Sequence, residues 1–224
     1  MKKFIAFGIL ALPLSAHAFT YFEDFQGMVG SEWSSSLVTA APADANRKFL
    51  GRFDNNTITL TLNGLTAGAL TTVNFDLFVI DSWDGNNSGV GPDRFKFGAN
   101  GNTLLNETFS NIEQTGYEQS YSAGGSGSFA AGTDADEIDT LGFNFYGNSV
   151  YKFGGPKNAG FTFLSTGTTL TLTFSGANLQ GIHDESWGLD NVSVTQAPVP
   201  EPATMLMLGG GLVAVLRRRR KNKF

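Results

Sequence analysis

Apolar and polar residues alternate with a period of two along much of the chain. In Thr57-Ile58-Thr59-Leu60-Thr61-Leu62 every second side chain is apolar, which predicts a half-buried β-strand. Residues 168–174 repeat the pattern, with Leu170, Leu172 and Phe174 inward. Residues 72–80 place Val73, Phe75, Leu77 and Val79 on one face, and the second half of this run is apolar on both faces. That pattern predicts a central strand covered on both sides. Shorter strands are expected at 47–53, 94–97, 103–109, 141–146, 160–164 and 191–195. Turn-forming segments such as Asn63-Gly64, Asn100-Gly101-Asn102 and Gly154-Gly155-Pro156 separate them.

No long stretch carries the 3.6-residue period of an amphipathic helix. Many short strands joined by tight turns predict an all-β fold, an antiparallel β-sandwich. A jelly roll is the first choice and an immunoglobulin-like sandwich the second. Along residues 186–194 the inward phase switches from odd to even, which predicts a bulge at Asp190-Asn191. Two loops rich in Gly and small residues, 82–92 and 122–132, are expected to be mobile.

The two ends of the chain break the strand pattern. Residues 1–18 combine Lys2 and Lys3, an apolar run from Phe4 to Leu14, and the small residues of Ala16-His17-Ala18. This is the composition of a secretory signal peptide, removed by signal peptidase after Ala18. At the other end, residues 203–216 are an apolar run, shorter than the roughly 20 residues of a free-standing membrane helix. The basic block from Arg217 to Lys223 follows it. Three segments result: a signal peptide at 1–18, a sandwich domain at 19–196, and a C-terminal segment at 197–224 with a short apolar helix. In an exported chain the basic block halts on the cytoplasmic side, so the membrane is a transient partner through this segment.

Removing the ends changes the charge of what remains. Residues 19–196 hold seven basic and nineteen acidic residues, a net charge of −12. Such a surface repels nucleic acid and anionic lipid and suits calcium. With no cysteine in the chain, disulfides and thiolate metal sites are excluded.

Pro200-Glu201-Pro202, the short apolar run and the arginine cluster together resemble a PEP-CTERM sorting signal. The resemblance implies an exosortase that recognises Pro200, Glu201 and Pro202 and removes the membrane segment. It also implies a Gram-negative source, an inner-membrane intermediate, a destination at the cell surface or extracellular matrix, and a tie to exopolysaccharide and biofilm. A second resemblance lies in the domain's two ends. Phe22-Glu23-Asp24-Phe25 followed by Trp33, and Leu189-Asp190-Asn191-Val192-Ser193-Val194, are similar to galactose-binding-like carbohydrate-binding modules. It implies that the first and last strands approach each other and that Glu23 or Asp24, with Asp190, hold a structural calcium.

The segment from Asp81 to Asp93 is the most unusual in the domain. Calcium takes six to eight oxygen ligands, and glycines let backbone carbonyls turn inward. Asp81, Asp84, Asn86 and Asp93 are candidate donors, although the spacing is not that of an EF-hand loop. The same composition suits a polar loop held by Asx-turns. Trp83 within it either stacks on a sugar ring, as a ligand-binding residue, or folds back onto the sandwich.

Catalytic sets are incomplete. Glu137-Ile138-Asp139 partly resembles the catalytic strand of laminarinase-like glycoside hydrolases, but Leu141 or Gly142 stands where the second carboxyl belongs. His183, Asp184, Glu185 and Ser186 are neighbours in sequence, whereas a triad needs side chains that converge in space. The expectation is a non-catalytic exported protein, calcium-stabilised and associated with exopolysaccharide. A secreted glycoside-active enzyme and a purely structural assembly protein are the alternatives.

Overall fold

Two antiparallel sheets face each other across an aromatic core in the computed structural model, which describes residues 18–198. The signal peptide up to His17 and the sorting residues Pro200, Glu201 and Pro202 lie outside the described residues, as does the predicted C-terminal helix. Fourteen strands form among the described residues. They are β1 (Phe19–Glu23), β2 (Val38–Ala41), β3 (Asp44–Phe53), β4 (Thr57–Asn63) and β5 (Leu70–Asp81). β6 (Arg94–Ala99), β7 (Asn102–Thr108), β8 (Gln119–Ser122), β9 (Gly125–Phe129) and β10 (Glu137–Ile138) follow. The last four are β11 (Asn148–Phe153), β12 (Phe161–Leu164), β13 (Thr169–Ala177) and β14 (Glu185–Gln196).

The larger sheet runs β10-β11-β5-β14-β3-β2, with β1 also paired to β14 and β12 to β5. The smaller sheet runs β4-β13-β6-β7, and β8-β9 is a separate hairpin. The chain crosses between the two main sheets after β3, β4, β5, β12 and β13, which is the wrapping of a jelly roll. β5 lies between β11 and β14, as its two-sided apolar pattern requires, and Leu77, Phe78, Val79 and Ile80 are all buried. The first and last strands pair antiparallel, from Phe19 opposite Gln196 to Glu23 opposite Val192. The expected bulge is present: pairing of β14 with β5 shifts between Asp190 and Ser193, and Asn191 has φ 50°.

Alternating side chains of both sheets meet in the core. The Phe75 ring of β5 packs at 5.0 Å from Phe97 and 5.3 Å from Phe174, both on the facing sheet. Trp187 of β14 lies 5.0 Å from Phe53 and 5.3 Å from Phe95, and its indole N–H donates to Asp54 O at 2.7 Å. β14 can pack this closely on β3 because Gly188 has no side chain: a Cβ there would stand 2.3 Å from Phe49 Cδ2.

Residues 141–146 are not the strand that their alternation predicts. Gly142 at φ +83° and Asp139 at φ 58° break the extended path, and the segment crosses the outer face of the larger sheet instead. Leu141 is buried there against Phe49, Phe78, Ile80 and Val150, a second small core. Each glycine-rich segment is built into the fold over part of its length. Residues 82–85 are buried, and 122–132 contains most of the β8–β9 hairpin. In the first case buried side chains outweigh glycine freedom. In the second, cross-strand hydrogen bonds do so.

Candidate metal centre

Asp84, Asp93 and Glu185 converge at one end of the sandwich. Asp84 follows β5, Asp93 precedes β6, and Glu185 opens β14 opposite Asp81 of β5. All three are buried, and one carboxylate oxygen from each lies within 4.8 Å of the others.

Main-chain bonds fix this arrangement. The Asp84 N–H donates to Asp93 Oδ2. Asp93 N donates to Gly85 O at 3.0 Å, and Gly85 N donates to Phe109 O at 3.0 Å. Gly85 has φ +62°, and a Cβ there would meet Glu118 O at 2.4 Å, so this turn requires glycine. On the other side Glu185 N donates to Gly181 O at 2.8 Å, and Glu185 Oε2 accepts Gln180 N at 2.6 Å.

Two oxygens of this cluster, Asp93 Oδ1 and Glu185 Oε1, are buried without any hydrogen-bond partner. None of the three acids forms an ion pair among the described residues. Burial, and then the charges of the neighbouring carboxylates, push the Glu185 carboxyl up to about 9 and Asp93 to about 7. Burial raises Asp84 as well and the Asp184 charge adds to it, while a shared-proton bond with Glu185 opposes the rise. Three buried carboxylates at one point cannot all be charged unless something positive joins them. Either shared protons or a cation meets that need. A donor set made only of oxygens suits calcium or magnesium, and excludes the soft-metal preference for thiolates.

The expected donors divide between this cluster and other roles. Asp84 and Asp93 enter it. Asp81 forms an ion pair with Arg52 and receives the Phe145 N–H. Asn86 Oδ1 accepts Thr108 Oγ1–H at 2.7 Å and so holds the loop. Glu23 Oε1 accepts Phe25 N at 2.9 Å. Asp190 lies five residues along β14 from Glu185, about 17 Å at ~3.4 Å per residue. Its Oδ1 accepts Asn191 N at 2.8 Å, and burial pushes its carboxyl to about 7.

Trp83 corrects the sugar-stacking expectation. Its ring is fully buried, its indole N–H donates to Ser186 O at 2.9 Å, and Phe109 meets it edge-on at 6.4 Å. The large apolar ring gains more from the core than from solvent, and the backbone carbonyl of β14 satisfies its one donor. Glu185 is the residue that sequence reasoning missed. The signal was available: Glu185, Trp187 and Leu189 share one phase of the strand, and an acid in the inward phase is a buried acid.

Glu137 has a different surrounding. It forms ion pairs with Arg47 at 2.7 Å and Lys152 at 2.5 Å. Although burial opposes it, these bonds and one from Thr140 hold its carboxyl at about 2.

The fold and site define an all-β sandwich with a buried carboxylate centre. Residues 198–221 match the PEP-CTERM protein-sorting motif, so the chain carries that motif. The motif marks an exported protein that passes through the membrane, is processed by an exosortase and is sorted to the cell surface. No curated protein matches the chain. Among solved structures, it is similar to dimeric latent PorU from Porphyromonas gingivalis, with 12% identity over 81% of this chain and a TM-score of 0.42. It spans only 13% of that protein's length. It is also similar to the Caldicellulosiruptor saccharolyticus module CBM27-1 in complex with mannohexaose, at 14% identity and TM-score 0.39, over 78% of this chain and 96% of that one. A family 35 carbohydrate binding module from Clostridium thermocellum gives 10% identity and TM-score 0.28, over 79% of this chain and 90% of that one. The sandwich is established by its own strand pairing, and these distant likenesses add nothing about a ligand.

Proposed function

We propose that the protein is a non-catalytic cell-surface module, stabilised by calcium and working in contact with exopolysaccharide. The observation that carries the calcium reading is the pair of buried, unpartnered oxygens on Asp93 and Glu185, set beside Asp84. A calcium ion would bind those two oxygens, cancel the repulsion among three carboxylates, and tie the loop after β5 to the start of β14. Export delivers the chain from a calcium-poor cytoplasm to a calcium-containing exterior. The acidic charge of the domain favours the ion's approach.

The sorting motif supports the surface location and, through it, the association with exopolysaccharide. The non-catalytic reading is supported by Glu137. A carboxylate clamped by Arg47 and Lys152 and held near 2 is neither a general acid at neutral pH nor a free nucleophile.

A calcium-titrated melting curve of the protein tests the reading. The melting temperature rises with calcium and saturates, and EDTA reverses the rise. A temperature unchanged by calcium would remove the metal from the account.

A further inference from the structure

The segment that crosses the outer face of the larger sheet ends in two exposed rings. Phe145 and Tyr146 are 58% and 57% exposed, edge to face at 4.8 Å. Beside them lies a cleft of about 100 Å³, lined by Tyr146 and by the exposed Ile138. Asn111, Asn148 and Ser149 also line it, and the two amides and the Ser149 hydroxyl are already committed. Asn111 Nδ2 donates to Asp81 O at 2.8 Å and its Oδ1 accepts from Ser149, while Asn148 bridges Leu141 N and Phe143 O. These bonds make the cleft preformed.

The only charged side chains that line it are acidic, Glu113 and Asp139, beside the neutral hydroxyls of Tyr146 and Ser110. Glu113 is exposed and forms no ion pair among the described residues. Asp139 uses Oδ1 to accept Asn148 N at 2.9 Å, which leaves Oδ2 available. No Lys, Arg or His lines the cleft. An aromatic ring beside two carboxylates recognises a cation that also carries a C–H face: the carboxylates take the N–H donors and the ring takes the face.

The geometry points to this cleft as a binding site for an amine-bearing sugar, with the ammonium between Glu113 and Asp139 and the sugar ring against Tyr146. The site names a ligand class for the polysaccharide contact proposed above and rests on that reading, but not on the calcium centre. A polymer of amino sugars would also complement the net charge of −12.

Calorimetry of the protein with four probes tests it: glucosamine oligomers, their N-acetylated counterparts, uncharged glucan oligomers and lysine oligomers. Glucosamine oligomers should bind at least tenfold more tightly than the other three. Tyr146→Ala and Glu113→Gln, both at exposed positions and with unchanged melting temperatures, should each weaken that binding about tenfold. Equal binding of the acetylated or lysine oligomers would overturn the proposal, as would binding indifferent to both substitutions. If only acetylated or uncharged oligomers bind, the amine assignment falls and the polysaccharide reading stands. If no glycan binds, both fall.

Discussion

The backbone N–H of Asp84 donates to one carboxylate oxygen of Asp93 and leaves the other oxygen of Asp93 buried without a partner. That bond closes the loop after β5 on itself and brings its two carboxylates to one point. Glu185 arrives at the same point on a different element, β14. A divalent cation bound there crosslinks two distant parts of the chain. At a calcium concentration of about 100 times Kd the gain is about 2.7 kcal/mol. For a domain of this size that is roughly a 5–10 °C rise in Tm, readable by scanning fluorimetry in calcium against EDTA.

Glu185→Gln should separate the metal from the fold. The amide keeps the volume and removes a carboxyl whose ionisation its surroundings oppose. In EDTA the variant should melt at or above the temperature of the unsubstituted protein. In calcium it should lose most of the rise. Thermal melts followed by circular dichroism in the two conditions give both readings.

Without calcium, stability should fall as pH rises. Asp93 and Glu185 have folded-state values of about 7 and 9, above the ~4 of free carboxyls. The folded form therefore binds more protons than the unfolded form between those limits, and its advantage is lost as pH climbs from about 4 toward 9. Calcium removes this part of the slope, because it replaces the protons. Asp190, also near 7, contributes to a remainder that Asp190→Asn should reduce, and Asp76 and Asp81, both raised by burial, supply the rest. Glu137 acts in the opposite sense: its depressed value, about 2, gives stability that is lost as pH drops below about 4. Urea midpoints from pH 3 to pH 9, with and without calcium, measure all of this.

Trp83→Ala should behave as a core deletion. Removing a buried Trp costs about 3–5 kcal/mol. At about 2–4 °C per kcal/mol in a domain of this size, Tm should fall by roughly 6–20 °C. Trp83→Phe keeps most of the packing but leaves the Ser186 carbonyl without its donor, so its loss should be smaller, about 1–3 kcal/mol. An exposed ring would change stability by less than about 0.5 kcal/mol. Chemical denaturation of the two variants distinguishes the cases.

Period-two alternation made the sandwich legible in the sequence. Ile58, Leu60 and Leu62 pair in register with Phe174, Leu172 and Leu170, each set inward as its alternation requires. The unbroken apolar run of 77–80 marked β5 as covered on both faces, and the odd-to-even switch after Leu189 marked the bulge. What alternation cannot carry is a path set by positive φ. Residues 141–146 alternate like a strand, yet Asp139 and Gly142 turn them across the sheet, where Leu141 fills a second core. The carboxylate centre was half legible for a related reason. Asp84 and Asp93 share a loop, and composition exposes them. Glu185 comes from 92 residues further along and joins them only through the pairing of β14 with β5. Trp83 misled because a polar loop surrounds it in sequence, while the fold turns its ring inward onto Phe109 and Ser186.

Titration calorimetry with calcium at pH 7.5, in buffers of different ionisation enthalpy, decides whether Asp84, Asp93 and Glu185 form a metal centre. Calcium binding at a site whose carboxyls are protonated when empty must release protons, so the observed heat should vary with the buffer. One ion should bind per chain, with proton release, and the signal should be lost in Glu185→Gln but not in Asp190→Asn. Absence of binding, or binding that survives Glu185→Gln unchanged, would rule out that centre.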